Sequence, residues 1–182
     1  MDIKLVDVKE HDLELIRNWR NSEEVSRYMY TSNQITSEQQ LAWFSKIQND
    51  PTQKYWLIEY DNIKLGLVSI YNIKQDFKHC SWAFYLGNTE VRGAGIGSKV
   101  EYTILNYVFE TMKFNKLMCE VFSFNEKVIQ MHKKFGFQQE GFFREHILKD
   151  GKYFDVVALA ILKSQWDLSK GKIKESIYNR VI

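Results

Sequence analysis

The run Val91-Arg92-Gly93-Ala94-Gly95-Ile96-Gly97-Ser98 constrains this chain more than any other stretch. It sits between an apolar run ending at Leu86 and a helix-period pattern at Val100, Ile104, Leu105, Val108 and Met112. Glycines let backbone N–H groups approach a ligand with no Cβ in the way. The first turn of the following helix adds unpaired donors and the positive end of a dipole. Strand, glycine turn and helix in that order make an anion site suited to a diphosphate. The segment from His79 to Phe122 is also long enough for a crossover between parallel strands.

Three phosphate-binding patterns compete for this run. A Walker loop needs Gly-Lys-Ser/Thr, and here the order is Gly97-Ser98-Lys99. A dinucleotide fingerprint needs Gly-x-Gly-x-x-Gly near the first strand, and here the spacing is Gly93-x-Gly95-x-Gly97 in mid-chain. The third pattern, Arg/Gln-x-x-Gly-x-Gly/Ala, is met by Arg92, Gly95 and Gly97. An ordinary glycine-rich turn is the plain alternative.

Around it the patterns predict a mixed α/β chain with a partly antiparallel sheet of about seven strands and flanking helices. Ile3 to Val8 alternates as a strand. Leu13, Ile16 and Trp19 follow at helical spacing, and Asn21-Ser22 offers an N-cap for a short helix through Val25 to Met29. Thr36 and Gln39 form a capping box before a helix through Trp43 and Ile47, which Asp50-Pro51 ends. Strands are predicted at Tyr55 to Tyr60, Leu65 to Tyr71, His79 to Leu86, Leu117 to Phe122, Phe137 to Phe143 and Tyr153 to Leu162. Tight turns at Asp61-Asn62 and Asp150-Gly151 join two of the pairs. A helix spans Asn125 to Phe135, and a final short one includes Gln165-Trp166. Residues 1–168 are expected to form one domain. Residues 169–182 read as a tail whose apolar Ile173, Ile177, Tyr178, Val181 and Ile182 dock on that domain or on a second copy in a homodimer.

The 182 residues suit a single domain. At 45% hydrophobic, with 12 Phe, 10 Tyr and 5 Trp, the chain has material for a core that a disordered chain lacks. A net charge of +2 is too small to argue for nucleic acid. Cys80 and Cys119 lie in apolar runs without metal spacing, so they read as buried and inert. His11, His79, His132 and His146 also lack ligand spacing, and no metal is expected. No apolar stretch reaches the length of a membrane span, and Met1-Asp2-Ile3-Lys4-Leu5 carries no signal-peptide core. The expectation is a cytoplasmic protein.

Downstream of the glycine run lies Asn125-Glu-Lys-Val128-Ile-Gln-Met-His132-Lys-Lys-Phe-Gly136-Phe137. Together the two stretches resemble the two signatures of the GNAT acetyltransferases, the second being Asn-x-x-Ala/Ser-x-x-x-Tyr-x-x-x-Gly-Phe. Gln139 to Arg144, Gly151 to Asp155 and Gln165-Trp166 resemble the ribosomal-protein and spermidine acetyltransferase branch. Asn18-Trp19-Arg20-Asn21, Arg27 to Tyr30, Leu41 to Phe44, Cys80 to Gly87 and Lys116 to Val121 resemble the PseH-type enzymes of pseudaminic acid biosynthesis, which acetylate the 4-amino group of a UDP-linked 4-amino-4,6-dideoxy sugar.

The resemblance implies an N-acetyltransferase using acetyl-CoA. Arg92, Gly93, Ala94, Gly95, Ile96, Gly97 and Ser98 would hold the diphosphate. The pantetheine arm would lie along Phe84, Tyr85 and Leu86, where the fold splays two parallel strands. Asn125 and Lys127 would assist. Arg20, Met29, Tyr30 and Trp43 would meet a nucleotide-sugar acceptor, with Arg20 on its diphosphate and Tyr30 or Trp43 stacked on its base. Glu120, the one carboxylate within an apolar strand, is the candidate base, and partial burial would tune it. The acid that returns a proton to the leaving thiolate is His132, which stands where the family carries tyrosine, or Tyr85. The alternative acceptors are a ribosomal-protein α-amine or a polyamine. Against a polyamine, Glu23, Glu24 and Glu38 read as solvated helix faces. A non-catalytic CoA-binding module is the alternative outside enzymology.

Overall fold

A computed structural model describes residues 2–88 and 95–178. Its strands are β1 (Lys4–Asp7), β2 (Lys54–Tyr60), β3 (Ile63–Lys74), β4 (His79–Leu86), β5 (Lys116–Phe122), β6 (Gln138–Lys149) and β7 (Lys152–Leu162). The helices are α1 (Leu13–Asn21), α2 (Glu23–Ser26), α3 (Ser37–Asn49), α4 (Ile96–Asn106), α5 (Glu126–Lys134) and α6 (Lys163–Tyr178). A π-type turn over Tyr107–Thr111 extends α4. The strands form one seven-stranded sheet in the order β1-β2-β3-β4-β5-β7-β6. Every neighbouring pair is antiparallel except β4 and β5.

Short-range chemistry explains several of these elements. Asp61 and Asn62 both take positive φ, 51° and 60°, in the two-residue turn between β2 and β3. Asp150 and Gly151 do the same between β6 and β7. Thr36 Oγ1 accepts from the Gln39 amide at 3.3 Å, and the Gln39 side chain accepts from the Thr36 amide at 3.0 Å. The expected capping box therefore opens α3.

The sheet separates two apolar layers. Trp56, Ile58, Val68, Ile70, Cys80 and Trp82 face Val100, Ile104 and Leu105 of α4, Ile129 of α5 and Trp166 of α6. On the opposite face Leu57 and Leu67 meet Leu13 and Ile16 of α1, with Trp43 and Phe44 of α3 packed around them. Both cysteines are free and buried in the first layer. No helix among the described residues is long and apolar enough to cross a membrane.

Four expectations change. Ser22 is the N-cap residue of α2, but its hydroxyl donates to the Trp19 carbonyl instead of accepting from a helix amide, and α2 stops at Ser26 with turns following it. Strand β3 begins at Ile63 and runs on to Lys74. Strand β6 continues past Phe143 to Lys149. It is an edge strand with a largely exposed face and two register shifts, so it carries little alternation to read. Finally, α6 is not short: it spans 16 residues through the expected tail, and Ile173 and Ile177 pack on the main core. Gly171 and the surrounding lysines mask its helical period.

Helix α1 is keyed to the end of β4. A Cβ on Gly87 would lie 2.1 Å from Cγ of Trp19. Gly87→Ala is therefore expected to destabilise the protein by about 1–3 kcal/mol, read from its urea midpoint. The cost should shrink in a Trp19→Leu background. An equal cost in both backgrounds would show that the indole does not occupy that space.

Candidate active site

The parallel ladder between β4 and β5 is short. It pairs His79 with Lys116, Cys80 with Leu117 and Ser81 with Met118, and then stops. Beyond it β4 keeps its partner β3 as far as Leu86, and β5 keeps β7 as far as Phe122. Trp82–Leu86 and Cys119–Phe122 thus border a gap with ladder groups that have no strand opposite them. Such an edge accepts an extended amide-bearing chain as an added strand.

One end of the gap is closed by the start of α4. Gly95 is its N-cap, at φ 73°, a conformation that favours glycine, and no side chain among the described residues caps the helix. The first-turn amides at Ile96, Gly97 and Ser98 are therefore available to an anion. A Cβ on Gly97 would touch Met131 Sδ at 3.4 Å and the Phe84 ring at 3.6 Å, so α4, α5 and β4 converge there. Arg92, Gly93 and Ala94 lie outside the described residues. Leu86 packs with Phe84 on the α4 side, whereas Tyr85 packs with the α1 layer. Asn125 is the half-buried N-cap of α5, its side chain not capping the helix, and Lys127 is exposed in the first turn.

On the α1 side of the sheet is a cavity of about 500 Å³. Arg20, Met29, Trp43 and Tyr85, all singled out from sequence, line it together with Tyr55, Gln39, Gln40 and Ser69. Arg20 Nη1 and the Tyr85 hydroxyl are both buried without a hydrogen-bond partner. Leaving such groups unpaired is costly. Burial pulls the Arg20 guanidinium below its ordinary pKa, with Tyr85 and Tyr55 opposing the shift. Burial pushes the Tyr85 phenol up, and Arg20 partly offsets it. Among the described residues no Asp or Glu lines this cavity. Trp43 and Tyr55 meet edge to face at 5.1 Å.

Tyr30 does not line the cavity. Its hydroxyl donates to Glu120 Oε2 at 2.8 Å, and its ring stands against Phe122. Burial pushes the Tyr30 phenol up, and Glu120 adds to the shift. Glu120 itself is exposed, which corrects the partial burial expected of it. The segment carrying Met29 and Tyr30 is fastened to the tip of the β6–β7 hairpin. Lys149 Nζ donates to the carbonyls of Ser26 at 2.7 Å and Met29 at 2.9 Å, and the Ser32 hydroxyl donates to Asp150 at 2.6 Å. None of these tethers has a local sequence signal.

His132 lies on the other side of the sheet from Tyr85. It is 3% exposed, and its Nδ1 is 2.7 Å from Oε1 of Glu101, itself fully buried on α4. Burial raises the Glu101 carboxyl, and the hydrogen bond and charge of His132 pull it back. Sequence reasoning missed Glu101. A signal was present, because position 101 shares the buried stripe of Ile104, Leu105 and Val108. No group of three or more metal-ligating side chains gathers among the described residues.

Comparison with known proteins agrees with this geometry. The family model of the acetyltransferase (GNAT) domain matches residues 2–138. The acetyltransferase PseH of Campylobacter jejuni (strain 81-176) is 28% identical over 128 residues, 70% of this chain and 78% of that protein. The spermidine N(1)-acetyltransferase of Escherichia coli K12 is 23% identical over 164 residues, 90% of this chain and 88% of that one. The Vibrio cholerae spermidine N-acetyltransferase, solved with CoA and spermine, superposes with a TM-score of 0.85 at 22% identity, covering 91% of this chain and 98% of its own. With the family model matching most of its length, the chain belongs to the GNAT acetyltransferases and is an N-acetyltransferase.

Proposed function

We propose that the acceptor is the 4-amino group of a UDP-linked 4-amino-4,6-dideoxy sugar, as in pseudaminic acid biosynthesis. The observation that carries this reading is the buried Arg20 Nη1, without a hydrogen-bond partner, in a cavity that no carboxylate among the described residues lines. A diphosphate satisfies a buried arginine by charge-assisted hydrogen bonds. A polyamine brings further positive charge to the same place. The carboxylates Glu23, Glu24 and Glu38 are exposed and do not line the cavity. The PseH relatives support the sugar. The spermidine acetyltransferases, which align over more of the chain, keep the polyamine as the competing acceptor.

Acetyl-CoA supplies an activated acetyl thioester. The residues fit it: uncapped first-turn amides at Ile96, Gly97 and Ser98 for the diphosphate, and the unpaired edge at Phe84, Tyr85 and Leu86 for the pantetheine amides. Asn125 and Lys127 flank the same end. Glu120 takes the proton shed by the acceptor nitrogen as the C–N bond forms, directly or through water, with Tyr30 holding the carboxylate. His132 or Tyr85 returns a proton to sulfur as the C–S bond breaks. Met29 and Trp43 wall the acceptor.

A thiol-release assay with the UDP-amino sugar, spermine and a ribosomal-protein N-terminal peptide tests the acceptor. The sugar should be turned over far faster than the other two, and preference for spermine would overturn the reading. Arg20→Met should raise the KM for the sugar about ten- to a hundredfold, the worth of a charge-assisted contact, and leave that for acetyl-CoA unchanged. Glu120→Gln should lower kcat by roughly 10²–10⁴; a wild-type rate removes Glu120 as the base.

A further inference from the structure

The family's tyrosine position holds His132, whose Nδ1 is already engaged by a fully buried carboxylate. We infer that Glu101 is a positioning residue: it orients the His132 ring so that Nε2 gives the proton to the sulfur leaving the acetyl group. This rests on His132, rather than Tyr85, being the acid.

The placement supports the assignment. Trp82 is the first β4 residue beyond the last β4–β5 pair, and it packs edge-on to His132 at 5.4 Å between centroids. Cys119 holds the same place on β5. The pair thus lies beneath the point where the strands diverge. With Nδ1 turned to Glu101, Nε2 is the ring nitrogen left for the reaction. A hydrophobic neighbour would have filled position 101 at no electrostatic cost. A carboxylate there, with Oε2 unpaired, imposes a desolvation penalty that a purely structural contact does not require.

The proton count closes. The loaded pair holds one extra proton, either on the carboxyl or as imidazolium, and the two forms titrate as a unit. As the C–S bond breaks, its electron pair stays on sulfur and the Nε2 proton goes to it. Nδ1 keeps, or takes from Glu101, the proton between them, which leaves carboxylate and neutral imidazole. Solvent reloads the pair. The titratable group packed against it from β5 is Cys119, whose thiol burial pushes up, with Glu101 adding to that shift. No Lys or Arg among the described residues bridges to Glu101.

The pair can donate only while it holds its proton, so kcat should fall as pH rises through its apparent pKa. Glu101→Gln removes the counter-charge of the imidazolium. It should move that alkaline limb to lower pH and lower kcat at least tenfold, with the KM for acetyl-CoA unchanged. Glu101→Asp should restore part of both, and His132→Phe should abolish the limb. A merely structural glutamate would change stability and leave the limb where it was, which would overturn the proposal. A measurement on the wild-type protein covers the case in which the variants do not fold: ¹⁵N-histidine NMR with CoA alone. The Nε2 resonance should shift on CoA binding, whereas an Nε2 indifferent to CoA also refutes it. If the sugar is the wrong acceptor, wild-type turnover fails as well, but the NMR readout still reports on the pair.

Discussion

The ladder between β4 and β5 ends after Ser81 and Met118, and the rest of the site depends on that early ending. Unpaired backbone groups inside a protein are expensive unless something meets them. Large aromatic side chains stand along both borders of the gap. Trp82 and Phe84 stack at 5.5 Å in the α4 layer, and Phe122 and Phe124 stack at 5.0 Å at the far end of β5. The two faces of the sheet meet at this gap, because each strand presents alternate residues to opposite faces.

That alternation divides the chemistry. Trp82 and Phe84 face the α4–α5 layer, where the glycine-capped helix start and the Glu101–His132 pair lie. Tyr85 faces the α1–α3 layer, where Arg20 waits without a counter-ion. A one-residue slip in β4 would exchange these two sets, so register here is as much a functional constraint as a packing one. Gly87 against the Trp19 indole, and the neighbouring main-chain bond from Gly87 N to Leu65 O, fix the strand end beside α1.

What could be read from sequence was mostly local. The β4 limits, the capping box at Thr36 and both two-residue turns rest on interactions within a few residues, and each was recognisable. Bulges break the alternation of edge strand β6 and Gly171 interrupts the period of α6, so the sequence pattern predicts both too short. The splay carries no periodic signal and was anticipated only through the family resemblance. Residues of the cavity were identifiable one by one, but the solitude of the Arg20 charge is a property of what does not surround it. The partnership of Tyr30 with Glu120 joins residues 90 apart and has no trace in either neighbourhood.

The hairpin tethers have a consequence for how the molecule is made. Lys149 reaches back 123 residues to Ser26, and Ser32 reaches forward 118 to Asp150. Closing loops of that size carries an entropic cost that short-range contacts escape. The segment carrying Met29 and Tyr30 therefore waits for the β6–β7 hairpin before it is held in place. During synthesis this segment is thus among the first parts of the chain made and among the last fixed in place.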